Sequence, residues 1–414
     1  MGFTVNSTCT RMSLKRRQFL IWMGTASGLG LSACVHQLAV GGGSPDAIAP
    51  SPNVGLSPAD ASPAPATPTP ANSPNLLAQN GITNPPRGEV RLAVISDLNG
   101  PYGATEYSAS VHRAIALLPG WQPDIVLGGG DMVAGQNRRL NQQQVEAMWA
   151  GFDRAIAAPL RRANLPFGFT LGNHDASRAV GPNGLIYQKE RELAASYWNN
   201  PAHIPALEFV DRHKFPFYYS FTKNNVFFLV WDASSSLRMP AEDLAWVEQS
   251  LSSETAKAAK LRIVIGHLPL YAVAKERDSA GEVLDGADEL RSLLERHNVH
   301  TYISGHHHAY YPAHRGQLEL LHAGAMGDGP RLLLAGNLPR IRTLTIVDVN
   351  LASMSTVYTT YDVDTLKLID QNELPKLIVS HNGVVFRRDI DWSELTPAEK
   401  AICIQKHGAA VCQS

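Results

Sequence analysis

Five short stretches carry the residue types that could do chemistry: Asp97-Leu98-Asn99, Gly130-Asp131, Gly172-Asn173-His174-Asp175, Gly266-His267 and Gly305-His306-His307-His308. Their carboxylates, amide oxygens and imidazoles form a mixed oxygen and nitrogen donor set, which suits Fe, Mn or Zn better than Mg or Ca. Together they read as donors that could converge on a metal site. A single Gly-Asp or Gly-His pair carries little weight, because such pairs commonly serve turns and caps. The quartet from Gly172 to Asp175 is more specific, since three adjacent donors after an apolar run make poor packing material. At Gly305 to His308 an extended segment would point alternate side chains the same way, so His306 and His308 are expected to face one site and His307 to face away.

Each stretch follows an apolar run of the kind that forms a buried parallel strand, and ligands collect at such strand ends in α/β folds. Strands are predicted over residues 90–96, 124–127, 167–171, 225–231, 261–265 and 300–304. Residues 140–157, 241–251 and 287–297 have the helical period and the length of crossovers, so parallel βαβ units should hold the five stretches. Beyond the histidine cluster, residues 343–349, 354–361 and 377–387 suggest antiparallel strands, with Asn382-Gly383 as a hairpin turn.

With 414 residues and 44% hydrophobic content the chain can bury a substantial core. A formal net charge of -1 provides no basic field, so no extended nucleic-acid partner is expected. At the N-terminus, Arg16 and Arg17 precede an apolar run, and the pattern resembles a twin-arginine export signal. The run ends in Leu31-Ser32-Ala33-Cys34, which resembles a lipobox and implies a lipid on Cys34, a membrane anchor and an exported, periplasmic or extracytoplasmic location. Residues 1–34 therefore read as signal and residues 35–87, rich in Pro, Ala and Ser, as a tether without hydrophobic period. Residues 88–392 form the expected catalytic domain and 393–414 a C-terminal extension. Cys403 and Cys412, the cysteines outside the signal, are candidates for a disulfide in an oxidising compartment; a metal pair is the weaker alternative.

The ordered set of stretches resembles the calcineurin-like metallophosphoesterase superfamily over residues from about 90 to 350. That resemblance implies a four-layer α/β/β/α sandwich and a dinuclear centre. By position it makes Asp131 the carboxylate bridging both ions, gives one ion Asp97 and His308, and gives the other Asn173, His267 and His306. Asn99 departs from the pattern, which has histidine there, and its amide oxygen would make a weaker or altered ligand. Purple acid phosphatases place a ligand tyrosine three residues after the Gly-Asp aspartate; here the position is Ala134, so the resemblance is to the other branches. It further implies hydrolysis by in-line attack of a metal-bridging hydroxide, with His174 as general acid and Asp175 orienting its imidazole. Monoester and diester substrates both stay open, as does a catalytically impaired lipoprotein that keeps the fold as a binding or scaffolding module. Tyr102 could touch a ligand or substrate, or simply cover a turn; Arg178 could touch a phosphate or lie solvated on the surface.

Overall fold

The computed structural model describes residues 74–413. The expected signal, Cys34 and the tether up to residue 73 lie outside the described residues. Two sheets dominate. The first has five strands in the order Ser355–Asp362, Thr343–Asn350, Val90–Ile95, Ile125–Gly128 and Phe167–Phe169. Its last three strands run parallel, and Thr343–Asn350 joins Val90–Ile95 antiparallel. The second has nine strands, and its centre is the parallel set Val226–Val230, Leu261–Ile265, Thr301–Ser304 and Leu318–His322.

Alternation along the buried strands stacks the layers. Phe228, Val230, Ile263 and Ile265 share one core with Leu92, Val94 and Leu127 of the other sheet. Phe227, Leu229 and Val264 fill a second core against Trp246, Val247, Leu293 and Leu294 of the helices Ala241–Leu251 and Ala287–Arg296. The helices Ala109–Trp121 and Gln142–Phe152 bury Val111, Leu118, Met148 and Trp149 with the five-stranded sheet. Strands covered on both faces must be apolar throughout, which is why the parallel ones read as unbroken hydrophobic runs. The result is the mixed α/β sandwich, sheets flanked by helices, that the fold class required.

Several elements differ from their sequence-based expectation. The helix predicted over 140–157 is capped by Asn141 and Gln144, ends at Phe152 and passes into a π-helical turn, Asp153–Ala157. Strands Glu208–Lys214, Tyr218–Lys223, Tyr311–Arg315 and Leu318–His322 were not foreseen, and they place His213 and His314 in strands. Glu208–Lys214 is a mostly exposed edge strand, so it needs no apolar alternation to be recognised by. The folded part also begins before residue 88. Leu77, in a helix over Pro74–Gln79, and Ile82 just after it are buried in the first core. At the other end Cys403 and Cys412 form a disulfide and pack with Leu377, Val384 and Phe386. Among the described residues no helix is long and apolar enough to cross a membrane.

Candidate metal centre

The five stretches leave the C-terminal ends of five parallel strands, three in one sheet and two in the other, and meet where the two sheets adjoin. Asp97 follows Val90–Ile95, Asp131 follows Ile125–Gly128 and Asn173 follows Phe167–Phe169; His267 follows Leu261–Ile265, and His306 and His308 follow Thr301–Ser304. One ligand atom from each of Asp97, Asp131 and His308 lies within 4.8 Å of the others. His267 Nε2 is 3.3 Å from Asp131 Oδ2 and 2.9 Å from Asn173 Oδ1, and His306 Nδ1 is 2.8 Å from the same amide oxygen. Asn99 is buried beside them, its backbone amide donating to the Asp131 carbonyl at 3.3 Å.

Close approach here depends on glycine and on strained backbone. A Cβ on Gly130, whose φ is +95°, would stand 2.5 Å from His267 Nδ1, and one on Gly172 would overlap the Asp131 carboxylate. Asp97, Asp131, His306 and His308 adopt φ of 49°, 53°, 64° and 53°, a left-handed region that side chains other than glycine seldom occupy. The histidine cluster is therefore not the extended segment expected from alternation. His306 and His308 still turn to the site, and His307 still turns away: its Nδ1 accepts from the Val273 amide at 3.2 Å and its Nε2 meets the Glu282 carbonyl at 2.9 Å.

Hydrogen bonds on the far side of each imidazole decide which nitrogen faces inward. His267 Nδ1 donates to the Gly129 carbonyl at 2.7 Å, so its Nε2 presents a lone pair to the Asp131 carboxylate. His308 Nδ1 donates to the Gly329 carbonyl at 2.9 Å, so its Nε2 presents a lone pair to Asp97 Oδ1 at 3.1 Å. A lone pair against a carboxylate is repulsive unless a cation lies between, either a proton or a metal ion. Protonation is what the carboxylates favour on their own: burial acts to depress His267, but Asp131 and Asp97 lift it to about 9. His308 is raised likewise, by Asp97 against burial. The two carboxyls respond in kind; burial would raise both, yet the neighbouring imidazoles hold Asp97 and Asp131 below the usual carboxylate range. These residues thus fit a metal ion by donor type, by tautomer and by charge.

His306 is held differently. Its Nε2 meets Glu282 Oε2 at 2.9 Å, while burial depresses the ring to about 4 and keeps it neutral. The bond to His306, together with one to Arg277, holds Glu282 at about 2 although burial opposes it. Neither Glu282 nor Arg277 was among the sequence candidates. They lie in a loop without hydrophobic period, and nothing in their spacing marks them. Gln136 was also missed; its Oε1 accepts from Asn173 Nδ2 at 2.7 Å and so turns the Asn173 carbonyl inward. Ser96, beside Asp97, donates to Asp97 Oδ2 at 2.7 Å.

His174 sits at the rim of the site. Its backbone amide donates to Asp131 Oδ1 at 2.8 Å, its Nδ1 donates to the Gly135 carbonyl at 3.2 Å, and its Nε2 stands 4.0 Å from Asp131 Oδ2. Asp175 does not orient that imidazole, contrary to expectation. Its oxygens accept from the amides of Met132 at 2.7 Å, Val133 at 2.8 Å and Gly172 at 2.8 Å, which ties the Asp131 loop to the Asn173 loop. Burial, then the charge of Asp131, raises its carboxyl to about 7. Tyr102 does more than cover a turn: its ring lies 5.1 Å from the His174 ring at 34°. Arg178 donates to the carbonyls of Leu237 and Arg238.

A model of the calcineurin-like phosphoesterase family matches residues 90–310, a span that includes all five stretches. The curated proteins give no match. Among solved structures, a purple acid phosphatase from yellow lupin (Lupinus luteus) seeds is similar at 17% identity and a TM-score of 0.49, covering 68% of this chain and 52% of its own. The anchor of the inner membrane complex of Plasmodium is similar at 15% identity and a TM-score of 0.44, covering 68% of this chain and 87% of its own. This chain thus spans about half of the length of the lupin phosphatase.

Proposed function

We propose, on the premise that this chain belongs to the calcineurin-like phosphoesterase family, that it is an exported hydrolase of phosphate mono- or diesters with a dinuclear metal centre. One observation carries the reading. Three imidazoles, His267, His306 and His308, each have one nitrogen pinned outward and the other aimed at Asn173, Asp131 or Asp97. In this reading Asp97, Asn99, Asp131 and His308 would hold one ion, and Asp131, Asn173, His267 and His306 would hold the other. The imidazole content favours Fe, Mn or Zn. When bound, such ions activate water, clamp phosphoryl oxygens and neutralise charge in an in-line displacement.

The chain's own groups supply the rest. Asp175 fixes the distance between the two loops that carry Asp131 and Asn173. His174, in its doubly protonated form, keeps Nδ1–H on the Gly135 carbonyl and gives its Nε2 proton to the leaving alkoxide, ending as the neutral ring. Ala134, buried and without a donor atom, stands where the purple branch has tyrosine, which supports placement outside that branch.

Export and a lipid on Cys34 belong to the same proposal, supported by Arg16-Arg17, the residues before Cys34 and the Cys403–Cys412 disulfide, which suits an oxidising compartment. Cys34→Ser should move the protein from the membrane to the soluble exported fraction; retention at the membrane would refute the anchor. Turnover of p-nitrophenyl phosphate or bis-p-nitrophenyl phosphate that is lost on chelation and restored by Mn, Fe or Zn is the expected result for the full chain. Metal bound without turnover of either ester would instead support a scaffold that has kept the fold and lost the reaction.

A further inference from the structure

Tyr102 is an unusual residue to find where it is. Its side chain is 61% exposed, a large aromatic ring left in solvent, yet one part of it is held against His174 with centroids 5.1 Å apart. The loop beneath it is fastened: the Gly103 amide donates to the Ala134 carbonyl at 2.7 Å, the Ala104 amide to the Pro101 carbonyl at 2.9 Å, and Tyr107 Oη to the Met132 carbonyl at 2.7 Å. Two of these three carbonyls, those of Ala134 and Met132, belong to the loop that follows Asp131, so the phenol is indexed to the centre itself. The rim on this side therefore carries the Tyr102 ring.

His174 marks the side of the site from which the alcohol departs. The Tyr102 ring, exposed and held beside it, would offer an aromatic face to the leaving group, and a planar group gives such a face the most contact. We infer that Tyr102 is a specificity-determining residue that stacks on the leaving group, and that the preferred substrates are phosphate esters of planar, aromatic alcohols. This rests on the function proposed above and narrows its substrate class.

Benzyl and cyclohexylmethyl phosphates test it, each as monoester and as methyl diester, because the two alcohols are similar in acidity and size but only one is planar. The wild-type full chain should favour the benzyl ester by about tenfold in kcat/KM. Tyr102→Phe should keep that preference. Tyr102→Leu should abolish it, raising KM for the benzyl ester about tenfold while the cyclohexylmethyl ester changes less than threefold. Equal losses on both esters would mean that Tyr102 only supports His174 or the loop, and a wild type without preference would also overturn the inference. Binding of benzylphosphonate against cyclohexylmethylphosphonate, measured by calorimetry, gives a readout that needs no turnover. If no ester is hydrolysed, the hydrolase reading fails alone; if benzylphosphonate binds no tighter than its cyclohexyl counterpart, the stacking inference fails whatever the activity.

Discussion

At the residue scale, the division of labour among the histidines follows from what each ring nitrogen touches. His267 and His308 donate outward to backbone carbonyls, whereas His306 donates outward to a carboxylate, Glu282. A carboxylate behind an imidazole fixes its tautomer and raises its basicity toward a metal, and loss of such a partner typically costs about 10- to 100-fold in affinity. Glu282→Ala should therefore weaken one of the two proposed metal-binding events by about that factor, read by calorimetric titration, while Glu282→Gln, which keeps an acceptor, should weaken it less. Unchanged affinity in Glu282→Ala would remove Glu282 from the role. His174 touches no buried donor through its Nε2 and remains partly exposed, which suits the role of proton donor proposed for it. Without it, esters with poor leaving groups should slow by about 10²- to 10⁴-fold, and p-nitrophenyl phosphate far less. Comparable losses on both would show a positioning effect instead. His174 and the five donor stretches were legible because their types and order are unusual after apolar runs. Glu282 was not, because it reaches His306 across a loop with no period; nor was the task of Asp175, whose partners are backbone amides that leave no trace in residue identity.

At the element scale, the parallel strands were legible for the same reason that they are useful. Burial on both faces makes them uniformly apolar, and their C-terminal ends then stand out as the places where polarity returns. Short strands that complete the second sheet were not: Leu318–His322 ends in a buried histidine that looks out of place in an apolar run. The structure explains it. His322 lies beside Thr301–Ser304 in the sheet, its Nδ1 donating to the Tyr311 carbonyl at 3.1 Å, and burial depresses it from 6.5 to about 4. The sign of its effect on stability is set by which state binds the proton. Below pH 6.5 the unfolded chain takes up a proton that the folded chain refuses until about pH 4, so stability falls across that window and the loss is complete below it. At about 1.4 kcal/mol per pKa unit the loss amounts to about 3 kcal/mol. Urea unfolding at pH 7 and pH 4.5 should show the advantage of wild type over His322→Asn shrinking by about 2–3 kcal/mol, and a constant difference would contradict the assignment.

At the scale of the whole molecule, composition separates a Pro-, Ala- and Ser-rich N-terminal stretch from the folded part, but it misplaces the border. Leucines at 76 and 77 give too short an apolar signal to read as core, and only tertiary packing shows that Leu77, 1% exposed, and Ile82 belong to it. The same segment serves a second purpose. Arg91 is 2% exposed on the central strand, and its guanidinium is satisfied by Asp348 at 2.8 Å and 3.0 Å, by the Trp121 carbonyl at 3.0 Å, and by Asn84 Oδ1 at 2.9 Å and the Pro85 carbonyl at 2.8 Å. Cutting the chain at residue 88 would remove two apolar side chains from the core and two acceptors from a buried cation. Each apolar side chain contributes about 1.5–3 kcal/mol, and a buried donor left unsatisfied costs about 1–3 kcal/mol more. A fragment of residues 88–414 should accordingly unfold at a clearly lower urea concentration than one of residues 67–414, by at least about 3 kcal/mol, or fail to fold. Leu77→Ala with Ile82→Ala in the longer fragment isolates the apolar part and leaves Arg91 its partners. Coincident unfolding of all three proteins would show that the segment merely lies against the domain, and the boundary expected at residue 88 would stand.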